Sequence, residues 1–339
     1  MAERNASFMG NGMKYIRLGN TGLKVSQLCL GCMSYGDPAL GWHRWVLPEA
    51  ESRPFIKKAL DSGINFFDTA NAYSKGVSEE VLGHALREYA QREDVVIATK
   101  VYAPMRDSPN GKGLSRKAIL HELDASLKRL GTEYVDLYQV HRWDFETPVE
   151  ETLEALNDAV RSGKVRYLGA SSMYAYQFAK MLLLADRNGW TRMVSMQPHY
   201  NLMYREEERE MLRLCLEEKI GVLPWSPLAR GKLARPWSTQ GSTNRDKLDK
   251  VSEILYARTE AADRAVVDAV EKVAKQRGLP MAQIALAWLQ QQSTVTAPIV
   301  GATSMSHLDD AIASLDITLT ADELEMLESP YIPHPISIG

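Results

Sequence analysis

Cysteine is scarce in this chain of 339 residues, which contains only Cys29, Cys32 and Cys215. Three cysteines do not make a disulfide framework and are typical of a protein that stays in a reducing compartment. Cys29 and Cys32 form a CxxC motif within an apolar run that predicts a strand, where residues three apart face opposite sides. No second CxxC or pair of histidines follows, so we interpret both cysteines as structural and predict no metal site.

The chain also lacks an excess of charge of one sign, because 40 Lys and Arg stand against 43 Asp and Glu. A nucleic-acid surface needs clustered positive charge, so no nucleic-acid partner is expected. Long apolar runs are lacking too: the uncharged stretch 278–306 has the polar centre Gln290–Thr294, and residues 1–12 contain no apolar signal core. We predict a cytoplasmic protein without a membrane partner, acting as a monomer or weak homo-oligomer.

What the sequence does contain is a regular alternation of short apolar, β-branched runs with longer amphipathic segments. The runs end near Gly31, Asp68, Thr99, His141, Ser171, Gln197, Trp225 and Gly301. Most intervals have the length of one strand–helix–strand step. This pattern predicts an α/β fold of the (β/α)8 TIM barrel type, as one domain over 1–339 with its core at 13–328. A doubly wound sheet with an added domain is the alternative. The first strand is not followed by the GxGxxG motif that would support such a fold.

Local signals predict further elements around this barrel. Tyr15–Arg17 and Lys24–Gln27 flank a Gly-containing turn, which indicates an N-terminal β-hairpin over the N-terminal end of the barrel. Ser78 is expected to cap a helix, Thr147 with Glu150 fits a capping box, and the apolar repeat over 115–130 predicts a further helix.

One interval, from Trp225 to Gly301, is about twice the usual length and predicts extended loops. Its first part is rich in basic side chains: Arg230, Lys232, Arg235, Arg245, Lys247 and Lys250 stand against Asp246 and Asp249. Such a positive loop indicates either a ligand that carries phosphate or a solvated linker, and charge alone leaves both open.

Ionisable side chains at the strand ends indicate a catalytic site, because barrel enzymes carry their chemistry there. Asp68, Lys100 and His141 end three successive runs, and Tyr73 follows Asp68 by a short loop. A buried lysine beside a tyrosine is expected to lower the pKa of the phenol, and a carboxylate keeps that lysine charged. Such a tyrosine is a suitable general acid for a carbonyl oxygen, which a histidine can orient. This chemistry requires a nicotinamide or flavin cofactor as hydride donor.

Several motifs together resemble the aldo-keto reductase superfamily. They are 66–73 with 78–83, 97–100, 135–141, 163–171, 197–201, 225–231 and 298–302. They are spread over nearly the whole chain, and within the superfamily they are most similar to the bacterial YajO-like branch, with potassium-channel β-subunits as distant relatives. The resemblance implies a (β/α)8 barrel that binds NADPH, with NADH as a possible alternative. It also implies that Tyr73 donates the proton, that Asp68 and Lys100 tune it, and that His141 orients the carbonyl.

The resemblance further implies a cofactor site along the strand ends. Its residues would be Gly31, Met33, Ser171, Ser172, Gln197, Trp225, Ser226, Leu228, Arg230, Gly231, Lys232, Gly301, Ser304 and His307. Trp225 would stack on the nicotinamide, and the positive loop would hold the phosphates. Two departures concern this site: Ser172 stands where the family has Asn, and 301–307 lacks the Lys or Arg that is common there. A 2′-phosphate would then be met by Ser304, His307 and a basic residue of 230–250.

Aromatic residues on the loops after the first, third and fourth strands indicate a substrate pocket. Tyr35, Tyr102 and Trp143 are the predicted substrate-binding residues, and Met33, Trp42 and Trp45 lie in the same loops. This wall favours a small, apolar, aromatic carbonyl compound or alcohol as substrate, while sugar-derived carbonyls stay open. Two other functions also remain: a Schiff-base lyase or aldolase that uses Lys100, and a cofactor-binding, redox-sensing subunit with little turnover.

Overall fold

A computed structural model describes residues 12–40, 43–241 and 243–336, apart from the side chains of 244 and 246. Two short strands come first, β1 (Tyr15–Arg17) and β2 (Lys24–Ser26), and they pair antiparallel as a hairpin. The following strands are β3 (Cys29–Gly31), β4 (Phe66–Asp68), β5 (Val96–Val101), β6 (Val135–Val140), β7 (Val165–Ser171), β8 (Met193–Gln197), β9 (Gly221–Val222) and β10 (Ile299–Val300). These eight pair in parallel, in the order β10-β3-β4-β5-β6-β7-β8-β9.

The two outer strands of this order meet and close the sheet. The backbone N–H of Ile299 donates to the carbonyl of Pro224 over 2.9 Å, and that of Thr296 donates to the carbonyl of Val222 over 2.8 Å. A closed sheet has no free edge, and here its parallel strands are wrapped by helices. The structure therefore confirms the (β/α)8 TIM barrel.

The helices follow the strands in the alternation that the sequence predicts. They are α1 (Glu49–Asp61), α2 (Val77–Tyr89), α3 (Arg116–Leu130), α4 (Val149–Arg161), α5 (Ala175–Asn188), α6 (Met211–Glu217), α7 (Asn244–Leu248), α8 (Lys250–Tyr256), α9 (Glu260–Arg277), α10 (Met281–Gln290), α11 (Met305–Ala313) and α12 (Ala321–Glu328). The long interval between β9 and β10 holds α7 to α10. Within the described ranges, no helix is both long and apolar enough to cross a membrane.

The hairpin lies at the N-terminal end of the barrel. Its Leu18 and Val25 are fully buried in the interior cluster, which is formed by Leu18, Val25, Cys29, Phe66, Val96, Ala98, Leu137, Leu223, Ala297 and Ile299. The turn residue Gly19 has φ of 55°, and a Cβ there would come within 2.8 Å of backbone atoms of Val194, Lys219 and Gly221. The hairpin thus covers this end of the barrel.

Alternation along the strands decides which side chains reach the barrel interior. Phe66, Ala98 and Leu137 belong to the interior cluster, so the residues two positions further on each strand also face inward. Those residues are Asp68, Lys100 and Gln139, and all three are buried. A polar layer therefore lies directly above an apolar one, at the C-terminal end of the barrel.

The two cysteines of the CxxC motif are buried in different places. Cys29 belongs to the interior cluster, while Cys32 lies in the outer cluster between the strands and the helices. The strand is shorter than predicted, because Cys32–Ser34 forms a 3₁₀ turn after β3. Both thiols are free.

Both predicted helix caps are wrong, whereas Ser115, which was not predicted as a cap, caps α3 and accepts from the backbone N–H of Ala118 over 3.3 Å. Ser78 instead lies inside α2 and donates to the carbonyl of Cys32 over 2.7 Å, because β3 and the start of α2 pack together. Thr147 donates to Asp144 over 2.7 Å and leaves Pro148 as the N-cap of α4, so the capping box does not form.

Candidate active site

Lys100 lies at the centre of a buried polar network at the C-terminal ends of the strands. Its Nζ donates to Oδ1 of Asp68, to the carbonyl of Thr69 over 2.9 Å and to the hydroxyl of Tyr73 over 3.3 Å. Asp68 ends β4 and Lys100 lies on the neighbouring β5. The three sequence-predicted residues are therefore in direct contact, and the charge on the lysine is applied to the phenol oxygen.

Asp68 is held from two further strands. Its Oδ2 accepts from Nε2 of Gln139 and from Nε2 of Gln197, each over 2.9 Å, and the two amides also bond each other over 3.1 Å. Together with the hydrogen bond from Lys100, four hydrogen bonds thus fix Asp68 and the two amide side chains. The sequence analysis missed Gln139. A signal was available, because Gln139 shares strand parity with Leu137 and His141 and therefore faces inward.

Tyr73 and His141 face each other across this network. Their ring centroids are 5.9 Å apart with an interplanar angle of 84°. Tyr73 opens a 3₁₀ turn in which Ser74 and Lys75 have φ of 46° and 52°, a strained backbone for residues with a Cβ. His141 follows β6 and donates its backbone N–H to the carbonyl of Val101 over 3.0 Å. Two groups capable of meeting a carbonyl oxygen are thereby brought together.

Burial and charge set the ionisation of these groups. Burial, with Lys100 and Arg142 nearby, holds the pKa of His141 well below its ordinary value, so the imidazole is neutral. Burial alone would lower the pKa of Lys100, but Asp68 and Tyr73 raise it above the ordinary value. The lysine therefore stays charged, which is unfavourable for a nucleophilic amine.

The expected lowering of the tyrosine pKa is wrong as a net effect. Burial raises the pKa of Tyr73, Asp68 raises it further, and Lys100 only partly opposes this. The reason is that the phenol is removed from water and lies near a carboxylate as well as an ammonium group. At neutral pH Tyr73 consequently carries its proton, as a proton donor must.

Trp225 lies at one end of an aromatic stack beside the network. The ring of His199 is sandwiched between Tyr204 and Trp225, with both centroid distances at 4.3 Å. Trp225 is only partly buried, and its Nε1 donates to the hydroxyl of Ser172 over 3.0 Å. The structure thus brings Trp225 to Ser172, which has φ of 47°, and fixes the plane of the indole.

The neighbouring residues of the predicted cofactor site join this cluster. Ser171 donates to the carbonyl of Gln197 over 2.7 Å, and its hydroxyl lies 3.2 Å from that of Ser172. After Trp225 the backbone is strained, with left-handed φ at Ser226, Ala229, Arg230 and Gly231. Strain of this kind is concentrated at sites that bind ligands. Leu228 and Lys232 flank this segment, and Lys232 lies over the ring of Trp237.

The positive loop is less free than its sequence indicates. Arg230 is buried and donates two hydrogen bonds to Asp249, over 2.7 and 2.8 Å. Arg245 also pairs with Asp249 and lies 4.1 Å from the centroid of the Trp45 ring. These contacts hold the segment between β9 and β10 against the loop after β3.

The remaining predicted cofactor residues lie around β3 and β10. Gly31 ends β3, Met33 lies in the next turn, and Gly301 follows β10. Ser304 is the N-cap residue of α11, and its hydroxyl lies 2.9 Å from that of Ser306. Burial lowers the pKa of His307, and Arg245 and Arg235 lower it further, so these positive groups lie near one another.

The predicted substrate residues do not all come together. Tyr102 and Trp143 follow β5 and β6, are partly buried and pack against the outer hydrophobic cluster. Tyr35 is fully buried and packs on Phe55, with ring centroids 5.9 Å apart, so the structure places it in the outer core. Trp42 lies outside the described residues. In the part of the chain that the structure describes, no group of three or more His, Cys, Asp or Glu could hold a metal ion.

Comparisons with known proteins agree with this fold. The model of the aldo/keto reductase family matches residues 27–332. Versiconal hemiacetal acetate reductase of Aspergillus parasiticus is 47% identical, over 96% of this chain and 99% of its own length. A candidate aryl-alcohol dehydrogenase of Saccharomyces cerevisiae is 42% identical, over 95% of this chain and 98% of its own. An aldo-keto reductase of Fusarium vanettenii is 45% identical, over 95% of this chain and 92% of its own length.

The chain belongs to the aldo/keto reductase family. Membership supports an oxidoreductase that reduces small carbonyl compounds with a nicotinamide cofactor. These relatives are fungal proteins, and they do not confirm the bacterial branch that the sequence motifs indicate.

Proposed function

We propose that this protein reduces aromatic aldehydes and ketones to alcohols with NADPH, reversibly, and that Tyr73 is the proton donor. One observation carries the proposal: the hydroxyl of Tyr73 accepts a hydrogen bond from a charged Lys100 and faces a neutral His141. A charged donor, a protonated phenol and a neutral imidazole in one place are what protonation of a nascent alkoxide requires.

The residues present fit a nicotinamide cofactor. Trp225 is stacked on one face by His199 and is partly exposed, so an aromatic surface is accessible for the nicotinamide ring. The strained segment 226–231 and the hydroxyls of Ser171 and Ser172 offer polar groups for the rest of the molecule. When bound, the cofactor supplies the hydride.

The side chains divide the proton chemistry between them. Tyr73 gives its proton to the carbonyl oxygen, and Lys100 stabilises the phenolate that remains. His141, being neutral, donates an N–H to the same oxygen and orients it. Asp68, held by Gln139 and Gln197, keeps Lys100 charged and in place. In the oxidative direction the same groups accept the proton.

The preference for NADPH over NADH rests on positive charge near α11. Ser304 and His307 lie at the start of this helix, and Arg235 and Arg245 lie close enough to affect the pKa of His307. A 2′-phosphate gains from such a cluster. We expect kcat/KM to be at least about tenfold higher with NADPH, since one charge-assisted hydrogen bond supplies that factor.

The aromatic substrate class rests on two kinds of support. Tyr102 and Trp143 lie on the loops that border the site, and large aromatic side chains favour flat, apolar ligands. Two relatives are named for a versiconal hemiacetal acetate and for aryl alcohols.

Replacing Tyr73 by Phe tests the proton donor. We expect Tyr73→Phe to lower kcat for benzaldehyde reduction by at least about 100-fold, since the ring stays and only the hydroxyl is lost. Quenching of tryptophan fluorescence by NADPH should keep the wild-type affinity. Substantial activity in this variant would refute the assignment. A covalent borohydride-trapped adduct at Lys100 would support the lyase alternative instead.

A further inference from the structure

Arg142 occupies an unusual position next to the proposed catalytic groups. It directly follows His141 in the loop after β6. Its Nη1 is buried and has no hydrogen-bond partner, and the guanidinium forms no hydrogen bond or ion pair with any described residue. Arginine is always protonated in proteins, so an uncompensated charge lies beside the site.

The titratable groups around this guanidinium are phenols and imidazoles. Its charge acts on Tyr73, on His141 and on His199, which places it within range of all three. Burial lowers the pKa of Arg142, and the phenols of Tyr73 and Tyr102 oppose this. Asp68 is the nearby carboxylate of the network, and it is already engaged by Lys100 and two amides.

Other largely buried arginines of the described chain have carboxylate partners. Arg92, Arg129, Arg205 and Arg230 each form an ion pair at 2.6 to 2.7 Å. Removing a charge from water without a partner is costly. An arginine without a counter-ion directly after His141 is therefore well placed to receive one from a ligand, and its planar fork matches a carboxylate.

We propose that Arg142 binds a carboxylate of the substrate, so that the preferred substrates are aromatic aldehydes and ketones that carry an acidic group. The reaction of such substrates rests on the proposed carbonyl reduction, but the contact between Arg142 and the carboxylate does not depend on it.

Two substrates that differ only in whether the acid group is free or esterified test the proposal. 4-Formylbenzoate and its methyl ester share the ring and the aldehyde, and the ratio of their kcat/KM values reports recognition of the carboxylate. We expect the wild-type enzyme to favour the acid and Arg142→Met to lower the ratio by about 10- to 100-fold, the range for a hydrogen bond to a charged group. Arg142→Lys should retain part of the preference.

Arg264→Met is the matched control, because Arg264 is an exposed arginine of α9. It removes the same charge and should leave the ratio unchanged. The proposal is wrong if Arg142→Met does not change the ratio, or if this variant loses NADPH affinity with the ratio unchanged, which would assign Arg142 to the cofactor.

Binding separates this proposal from the proposed function. Calorimetry with NADP+ compares 4-(hydroxymethyl)benzoate with its methyl ester. The inference is supported if the acid binds more tightly than the ester and if Arg142→Met abolishes this difference. That support holds even if neither aldehyde is reduced. A failure to reduce both aldehydes would refute only the proposed carbonyl reduction. Equal binding of acid and ester to the wild-type protein overturns the inference.

Discussion

Asp68 shows how one carboxylate can organise a site through its neighbours. Its two oxygens accept hydrogen bonds from Lys100, Gln139 and Gln197, which lie on three different strands. Because all of these groups are buried, each hydrogen bond acts in a medium of low polarity and the positions are well defined. The charge of Lys100 therefore depends on Asp68 more than on solvent.

Replacing Asp68 by Asn tests this dependence. The amide cannot balance the ammonium group, so the pKa of Lys100 should fall as burial becomes unopposed. We expect a loss of about 100-fold in kcat, and a shift of the alkaline limb of the kcat/KM profile to lower pH. Asp124→Asn, at an exposed site of α3, is the control. An alkaline limb at its wild-type position would contradict the assigned role.

At the scale of elements, α2 and α3 approach each other unusually closely at Gly83. A Cβ on Gly83 would lie 2.2 Å from the carbonyl oxygen of Leu130, the last residue of α3. The backbone of one helix thus packs directly on the end of another. Glycine is required here for space, since φ at Gly83 is not left-handed.

We expect the substitution Gly83→Ala to lower the free energy of unfolding, whereas helix propensity alone would raise it. Alanine in a helix interior normally stabilises by about 1 kcal/mol relative to glycine. Here the overlap with Leu130 should instead destabilise the protein by about 1–3 kcal/mol. Urea unfolding measures the difference, with Gly22→Ala as a control, because a Cβ on Gly22 would meet nothing within 4 Å. A variant as stable as the wild type would show that the helices can separate without cost.

At the scale of the whole molecule, the C-terminal segment is fastened to the barrel by a few buried polar contacts. Residues 331–336 are neither helix nor strand. Yet the hydroxyl of Tyr331 donates to Glu206 over 2.7 Å, and Nε2 of His334 lies 2.9 Å from Oδ1 of Asp263. These contacts join the tail to α9 and to the loop after β8.

This attachment should make stability depend on pH. Burial alone would lower the pKa of His334, but Asp263 raises it above its ordinary value of about 6.5. The pair of His334 and Asp263 therefore contributes fully to the free energy of unfolding below about pH 6.5. This contribution is lost as the pH rises through the pKa of His334 in the folded state. We expect the free energy of unfolding lost in His334→Gln to be larger at pH 6 than at pH 9.

The partner residue provides the check on this prediction. In a background that already contains Asp263→Asn, the substitution at His334 should no longer show a pH-dependent effect, because the charge that raises the pKa is gone. Urea unfolding at several pH values measures both differences. An equal loss at pH 6 and pH 9 in the wild-type background would exclude the charged pair as a source of stability.

The sequence by itself determined the barrel and the group of ionisable side chains at the ends of its strands. Strand and helix periodicity is local, and the C-terminal ends of parallel strands must meet at one end of a barrel, so Asp68, Lys100 and His141 could be placed together. The strand ends at Gly31, Asp68, Ser171 and Gln197 agree with the structure for the same reason.

Only the tertiary structure decided which partners these residues have. Ser78 and Thr147 follow local capping rules, yet contacts with Cys32 and Asp144 prevail. Strand parity points Gln139 inward, but its partners Asp68 and Gln197 lie on other strands. Arg142 carries no local signal. The net pKa of Tyr73 likewise depends on burial, which no spacing in the sequence measures. Pattern determines the elements, and packing in three dimensions determines ionisation and partners.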